Sequence, residues 1–254
     1  MLVAIPARHG STRFPGKPLA PVLGRPMIAW VVDAARGARR AEDVAVITDR
    51  EEIAAAAREA GARAVVSDRE AASGSDRIAQ LLELDPVAAR ATTIVNLQGD
   101  EPALESAAID RAIELLEERA VDVATLVRAP RAGERIADPD LVKAVLASDG
   151  RALYFSRAAV PHGVGAGAGE EGGAGPWIHV GLYAWRRPAF DRFTAAPPSA
   201  LERAERLEQL RAIDLGLAIG CAVVQTESVG VDAPADVPRA EAALRRLDAI
   251  RARP

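Results

Sequence analysis

Short runs of β-branched and aliphatic residues alternate along the chain with longer segments in which apolar positions recur every three or four residues. Residues 3–5, 44–48, 64–67 and 92–97 are apolar almost throughout, the pattern of strands covered on both faces of a sheet. Helical periodicities lie between them. Met27, Ile28, Val31, Val32 and Ala35 recur at i, i+3 and i+4, with Pro26 where a first helical turn tolerates it. A second helix is predicted over residues 51–60, closed by Gly61. A third covers residues 76–84 and breaks before Pro86, and a fourth covers roughly residues 106–119. Strand–helix alternation of this kind implies parallel βαβ units with right-handed crossovers.

The pattern changes after about residue 120. Residues 121–127 alternate loosely. Residues 141–146 and 152–155 flank Ala147-Ser-Asp-Gly-Arg151, which reads as a hairpin turn. Residues 163–175 are almost all Gly, Ala and Glu, too poor in apolar bulk to pack, and predict a mobile surface loop rather than a phosphate cradle. A strand is predicted over residues 178–185. Residues 201–215 predict one strongly amphipathic helix, with Leu201, Ala204, Leu207 and Leu210 on one face. A strand over residues 217–224 and a final helix over residues 234–253, with a solvated Arg-rich face, complete the chain. There are no internal repeats. The expectation is a single α/β domain over residues 1–254 with a doubly wound, mostly parallel sheet. Its core occupies about residues 1–120, and an antiparallel elaboration occupies about residues 121–225.

Composition narrows the function. The only cysteine, Cys221, cannot form an internal disulfide, and no Cys/His cluster has zinc spacing. No apolar run approaches the roughly 20 residues of a membrane span. The N-terminus lacks a basic region followed by a cleavable apolar stretch. A net charge of -4 with interspersed signs argues against a general nucleic-acid binder. The expectation is a cytoplasmic protein with no membrane or nucleic-acid partner.

The chemistry concentrates after the first strand, in Ile5-Pro-Ala-Arg-His-Gly-Ser-Thr-Arg-Phe-Pro-Gly-Lys-Pro18. In an open α/β sheet this is the carboxyl edge, where ligands bind. Arg8, Arg13 and Lys17 sit on one glycine-containing loop with the hydroxyls of Ser11 and Thr12. Three cations repel one another unless an anion lies among them, and a triphosphate would supply it through charge-assisted hydrogen bonds. The competing reading is a solvated basic loop. The spacing of Gly10, Gly16 and Lys17 is not that of a Walker A motif, and no G-x-G-x-x-G is present.

A second string, Ile94-Val-Asn-Leu-Gln-Gly-Asp-Glu-Pro102, ends a predicted strand in Asp100 and Glu101. If its strand neighbours the first, a carboxylate faces a polyphosphate, a repulsive pairing unless Mg²⁺ lies between. A helix-capping Asp is the plainer alternative. Asp232, in Gly230-Val-Asp-Ala-Pro234, reads by itself as an ordinary N-cap.

Six strings in order give a specific resemblance: R-x-x-S-T-R-x-P-G-K-P from Arg8, V-N-L-Q-G-D-E-P from Val95, L-Y-F-S-R from Leu153, H-V-G-L-Y from His179, L-E-x-x-E-x-L-E-Q-L-R from Leu201 and G-V-D-x-P from Gly230. Together they resemble the 3-deoxy-manno-octulosonate cytidylyltransferases, the CMP-Kdo synthetases, over nearly the whole chain. The resemblance implies a nucleotide-diphospho-sugar transferase-like fold, with the antiparallel part serving dimerisation. It also implies a Mg²⁺-dependent reaction of CTP with the sugar acid Kdo for lipopolysaccharide biosynthesis, and a homodimer. It assigns Ala7, Arg8, Ser11, Arg13 and Lys17 to the nucleotide, and Ser73, Gly74 and Arg77 to the region of the cytosine pocket. Gln98 lies between base and sugar. Asp100 and Asp232 become metal ligands, which lifts Asp232 above the N-cap reading. Arg157, His179, Tyr183, Glu208 and Gln209 line the sugar-acid pocket, and Arg13, Lys17 and Asp100 carry the catalytic roles.

The implied chemistry is in-line nucleotidyl transfer, and the sequence shows no Ser/His/Asp or Cys/His arrangement for covalent catalysis. The alternatives are the same chemistry on an amino-Kdo or another 2-keto sugar acid, a sugar-1-phosphate nucleotidyltransferase, or a non-catalytic nucleotide-binding protein.

Overall fold

Strand β1 (Leu2–Ala7) is buried at all six positions, so it needs neighbours on both edges and cover on both faces. The computed structural model describes residues 1–10, 13–162, 175–226 and 228–251. It divides into two compact units: Met1–Asp110 with Thr226–Pro254, and Arg111–Gln225.

In the first unit a two-residue hairpin, β2 (Pro21–Val22) against β3 (Arg25–Pro26), follows the loop after β1. Its turn residues Leu23 and Gly24 both have positive φ, 48° and 75°, as a tight hairpin requires. Helix α1 (Met27–Arg36) starts at once, so Pro26 precedes the helix instead of lying in its first turn. Strand β4 (Asp43–Thr48), helix α2 (Glu51–Glu59), strand β5 (Arg63–Val66), helix α3 (Gly74–Leu84) and strand β6 (Thr93–Leu97) continue the alternation, and helix α4 (Ser106–Glu118) begins in the first unit and ends in the second. α3 begins two residues earlier than its apolar periodicity predicts. The Ser73 hydroxyl accepts from the Asp76 N–H at 3.2 Å, so a cap sets the boundary. β1 pairs in parallel with β4 and with β6, and β4 with β5. The order β6-β1-β4-β5 is that of a parallel core.

In the second unit β7 (Val123–Arg128) precedes the expected hairpin of β8 (Lys143–Leu146) and β9 (Ala152–Ser156). Strand β10 (Trp177–Arg186) runs antiparallel to both β7 and β8. Helices α5 (Arg187–Ala195), α6 (Ala200–Glu205) and α7 (Gln209–Asp214) follow, and β11 (Ile219–Val223) returns parallel to β7. The chain closes in the first unit with α8 (Val237–Arg251). There Ala240, Ala243 and Leu244 cover Ala20, Val22 and Met27 beneath the β2–β3 hairpin.

Two expectations fail. The single helix over residues 201–215 is broken: Arg206 adopts a left-handed conformation (φ 56°) between α6 and α7. The predicted apolar face does not form, because Leu201 is exposed while Glu202 is buried. Helix α5 was not predicted at all. Residues 163–174 of the Gly/Ala-rich stretch lie outside the described residues. Among the described residues, no helix is long and apolar enough to cross a membrane.

Candidate active site

Parallel pairing of β1 with β6 sets their carboxyl ends side by side, so the loop after β1 and the string after β6 share one edge. Their approach is close. A Cβ on Gly99 would lie 2.9 Å from the Pro6 carbonyl oxygen, a contact that no side chain can make. Beside it the Lys17 ammonium donates to Asp100 Oδ2 at 2.7 Å and stands 3.6 Å from Asp232 Oδ1. Arg13 Nη2 pairs with the other side of this cluster, 2.9 Å from Asp232 Oδ1. Lys17 is only 13% exposed, whereas Arg13 and Asp232 are more than half exposed. The inner pair is therefore the stronger electrostatic contact and the outer one is largely screened. Arg8 is exposed, and Ser11 lies outside the described residues.

Asp232 is not a helix cap. The Asp236 carboxylate accepts from the backbone N–H groups of Asp232 and Ala233 at 3.0 and 2.9 Å. That leaves the Asp232 carboxylate to face the cations. Asp100 does not cap a helix either, since α4 begins six residues later.

Glu101, to which the sequence assigns no role beyond its place beside Asp100, is held by Ser228. Its carboxylate accepts from Ser228 Oγ at 2.5 Å. Burial, reinforced by neighbouring Asp100, pushes its pKa up to about 7. Two carboxylates converging on one ammonium are a hard-oxygen donor set, which suits Mg²⁺ rather than a soft metal. Among the described residues no three His, Cys, Asp or Glu side chains converge as metal ligands. An ion held by Asp100 and Asp232 would thus complete its shell from phosphate oxygens and water, as Mg²⁺ commonly does.

The α3 N-terminus brings Ser73, Gly74 and Arg77 to the same edge. Gly74 passes close to Gln98, whose Nε2 donates to Asn96 Oδ1 at 3.0 Å. Asn96 in turn donates to Ser75 Oγ at 3.2 Å. Asn96 and Ser75 are both buried, so this relay fixes the Gln98 amide. Arg77 is also buried, and its Nη1 has no hydrogen-bond partner among the described residues. A buried donor without an acceptor carries a desolvation cost, and a ligand oxygen would remove it.

The other candidates lie in the second unit. His179 and Tyr183 share the partly exposed face of β10, with ring centroids 5.3 Å apart. The Phe155 ring meets His179 edge-on at 5.2 Å. Burial lowers the His179 pKa to about 3. Burial, with the nearby Glu208 charge, raises that of Tyr183 well above its ordinary value, so both rings are neutral around pH 7. Gln209 is buried at the start of α7, immediately after Glu208.

Arg157 is held by its surroundings. Its N–H donates to Glu205 Oε2 at 2.9 Å, its Nε to the Glu205 carbonyl at 3.0 Å and its Nη1 to the Pro139 carbonyl at 2.9 Å. Lys143, fully buried, donates to the carbonyls of Asp138, Leu141 and Arg157. Neither Glu205 nor Lys143 was singled out from sequence. Glu205 lies inside the L-E-x-x-E string and was within reach of that reading, whereas Lys143 carries no motif.

A family model described as cytidylyltransferase matches residues 2–219. A 3-deoxy-manno-octulosonate cytidylyltransferase of Bradyrhizobium sp. (strain ORS 278) is 45% identical, over 97% of this chain and 98% of its own length. One of Xanthobacter autotrophicus (strain ATCC BAA-1158 / Py2) is 48% identical over 96% and 93%. Among solved structures, a CMP:2-keto-3-deoxy-manno-octonic acid synthetase complexed with CTP superposes with a TM-score of 0.86 at 35% identity, covering 97% of this chain and 98% of that one.

Proposed function

The chain belongs to the cytidylyltransferase family, and from that membership we propose that it transfers the cytidylyl group of CTP to 3-deoxy-manno-octulosonate, releasing CMP-Kdo and pyrophosphate for lipopolysaccharide biosynthesis. The observation that carries this reading is the Lys17 ammonium held between Asp100 and Asp232 at the carboxyl edge of β1 and β6. That cluster is a cation site and an anion site in contact, which is what a metal–triphosphate complex separates and fills.

In the reaction the C2 hydroxyl of the sugar acid attacks the α-phosphorus of CTP in line. A P–O bond forms there, the bond to the β-phosphate bridging oxygen breaks, and the hydroxyl proton leaves to water. Arg8, Ser11, Arg13 and Lys17 bind the triphosphate, and Arg13 and Lys17 offset charge growing on pyrophosphate. Nucleotide binding exchanges the Lys17–Asp100 pair for a Lys17–phosphate pair. Asp100 and Asp232 would hold Mg²⁺, which would neutralise phosphate charge and lower the pKa of the attacking hydroxyl. Ala7, Ser73, Gly74 and Gln98 shape the nucleoside site, and the unpartnered Arg77 Nη1 donates to the cytosine ring carbonyl. Arg157, His179, Tyr183, Glu208 and Gln209 bind the sugar acid, the guanidinium pairing with its carboxylate. The working form is a cytoplasmic homodimer, and light scattering should give twice the chain mass.

Pyrophosphate release tests the reading. With Mg²⁺ present, CTP and Kdo should support turnover, whereas UTP, ATP or GTP should not. Amino-Kdo and other 2-keto sugar acids should be poorer substrates. Absence of pyrophosphate with CTP and Kdo would remove the proposal, and preference for another sugar acid would redirect it. Arg77→Met should raise the KM for CTP about 10- to 100-fold, the loss of one hydrogen bond from a charged donor. The KM for the sugar acid should stay unchanged. An unaltered KM for CTP would detach Arg77 from the base.

A further inference from the structure

We propose that Thr125 is a positioning residue that locks His179 in its Nε2–H tautomer, so that Nδ1 is presented as an acceptor to a hydroxyl of the sugar acid. The inference rests on the assignment of His179 to the sugar-acid pocket and names what that residue recognises there.

The geometry leaves one arrangement of protons. Thr125 is fully buried on β7, and its Oγ1 lies 2.7 Å from the Leu182 carbonyl oxygen and 3.5 Å from that of Val180. Two oxygens 2.7 Å apart share a hydrogen, and a carbonyl has none to give, so the single hydroxyl proton points at Leu182. His179 Nε2 is 2.9 Å from the same Oγ1. With its proton committed, the hydroxyl can only accept there, and Nε2 must carry the hydrogen. In a neutral imidazole the other nitrogen is then an acceptor. The ring is neutral at working pH because burial holds its pKa at about 3.

The strand supplies the rest. β10 shifts register between Val180 and Tyr183, so Gly181 and Leu182 have no partner on β7. This irregularity leaves the Leu182 carbonyl for the Thr125 hydroxyl, as bulges near sites often redirect groups. Nδ1 has no hydrogen-bond partner among the described residues. Gly181 lies between His179 and Tyr183 on the partly exposed face, and a Cβ there would meet nothing within 4 Å. There is accordingly room beside the ring for a ligand group. A neutral acceptor at that point selects a hydroxyl and rejects a carboxylate or carbonyl oxygen, which would oppose lone pair to lone pair.

The two-bond ¹H–¹⁵N spectrum of the imidazoles, with His179 assigned by its loss in His179→Ala, reads the tautomer directly. The parent protein should show Nε2–H. Thr125→Val should shift His179 toward Nδ1–H and raise the KM for Kdo about tenfold, with the KM for CTP within twofold. Thr125→Ser should restore both. An Nδ1–H spectrum in the parent overturns the proposal even if Thr125→Val does not fold. A folded Thr125→Val with parental spectrum and KM overturns it as well. A His179→Ala variant with an unchanged KM for Kdo overturns the pocket assignment itself, and with it the role of Nδ1, whatever the spectrum shows.

Discussion

Asp100→Asn is expected to lower turnover by about two to three orders of magnitude while leaving the folded state almost as stable as the parent. The substitution keeps the shape of the side chain and removes its charge. Its structural cost is small, because Asp100 is about one-third exposed and its pair with Lys17 is correspondingly screened. Such a pair contributes at most about 1 kcal/mol. On the proposed reading its catalytic cost is large, because a carboxylate beside a bound triphosphate would hold a divalent cation. The charge stabilisation this supports in the transition state is several kcal/mol, and about 1.4 kcal/mol corresponds to a factor of ten in rate.

Pyrophosphate release followed across a Mg²⁺ titration separates the explanations. Loss of a ligand raises the Mg²⁺ concentration needed for half-maximal rate. If Asp100 served only to hold Lys17, the rate would fall with an unchanged Mg²⁺ dependence. Asp232→Asn should move the Mg²⁺ requirement in the same direction without loss of a helix cap, since Asp236 already fills that role. Near-parental turnover of Asp100→Asn at low Mg²⁺ would remove the metal assignment for this edge.

The parallel core was legible because its strands are apolar throughout and its helices are periodic, signals that report burial directly. β1, β4, β5 and β6 all lie within a residue or two of their predicted positions. Charge and glycine concentrate in the loop after β1 and the string after β6, and parallel pairing brings Lys17 to Asp100, as the sequence suggests if the two strands are neighbours. Polar groups whose partners are distant in sequence were not legible. Thr125 reaches His179 from 54 residues away, and nothing in a loosely alternating strand marks that threonine. Glu101 reads only as the neighbour of Asp100 at the carboxyl edge, and nothing in the sequence marks its bond to Ser228, 127 residues away. The break between α6 and α7 falls at Arg206, a residue that rarely adopts positive φ. No glycine or proline announced it.

That break explains why a hydrophobic pattern misread the segment, and it yields the second large prediction. Glu202→Ala is expected to destabilise the protein by about 3–5 kcal/mol, the cost of removing one partner of a buried ion pair. The Glu202 carboxylate accepts Arg211 Nε at 2.7 Å and Nη2 at 2.6 Å, with 10% and 4% of the two side chains exposed. The same carboxylate accepts from the Ser199 N–H, and Ser199 Oγ accepts from the Glu202 N–H, both at 3.1 Å. One side chain therefore closes a capping box and neutralises a guanidinium stacked 4.5 Å from the Phe193 ring centroid.

For a chain of this length each kcal/mol lowers the thermal midpoint by about 2–4 °C, so a fall on the order of 10 °C is expected. Glu202→Gln, which retains the box but not the charge, should fall between. The double variant Glu202→Met/Arg211→Met should recover much of the loss, since apolar groups then replace both buried ions. Urea unfolding of the parent, Glu202→Met, Arg211→Met and the double variant gives the coupling energy. Because α7 starts at Gln209, directly after Glu208, the proposed sugar-acid role of these two residues implies that Glu202→Ala should also raise the KM for the sugar acid below its melting temperature. A loss under about 1 kcal/mol for Glu202→Ala would mean that the pair is solvated and that something else holds α6 against α7.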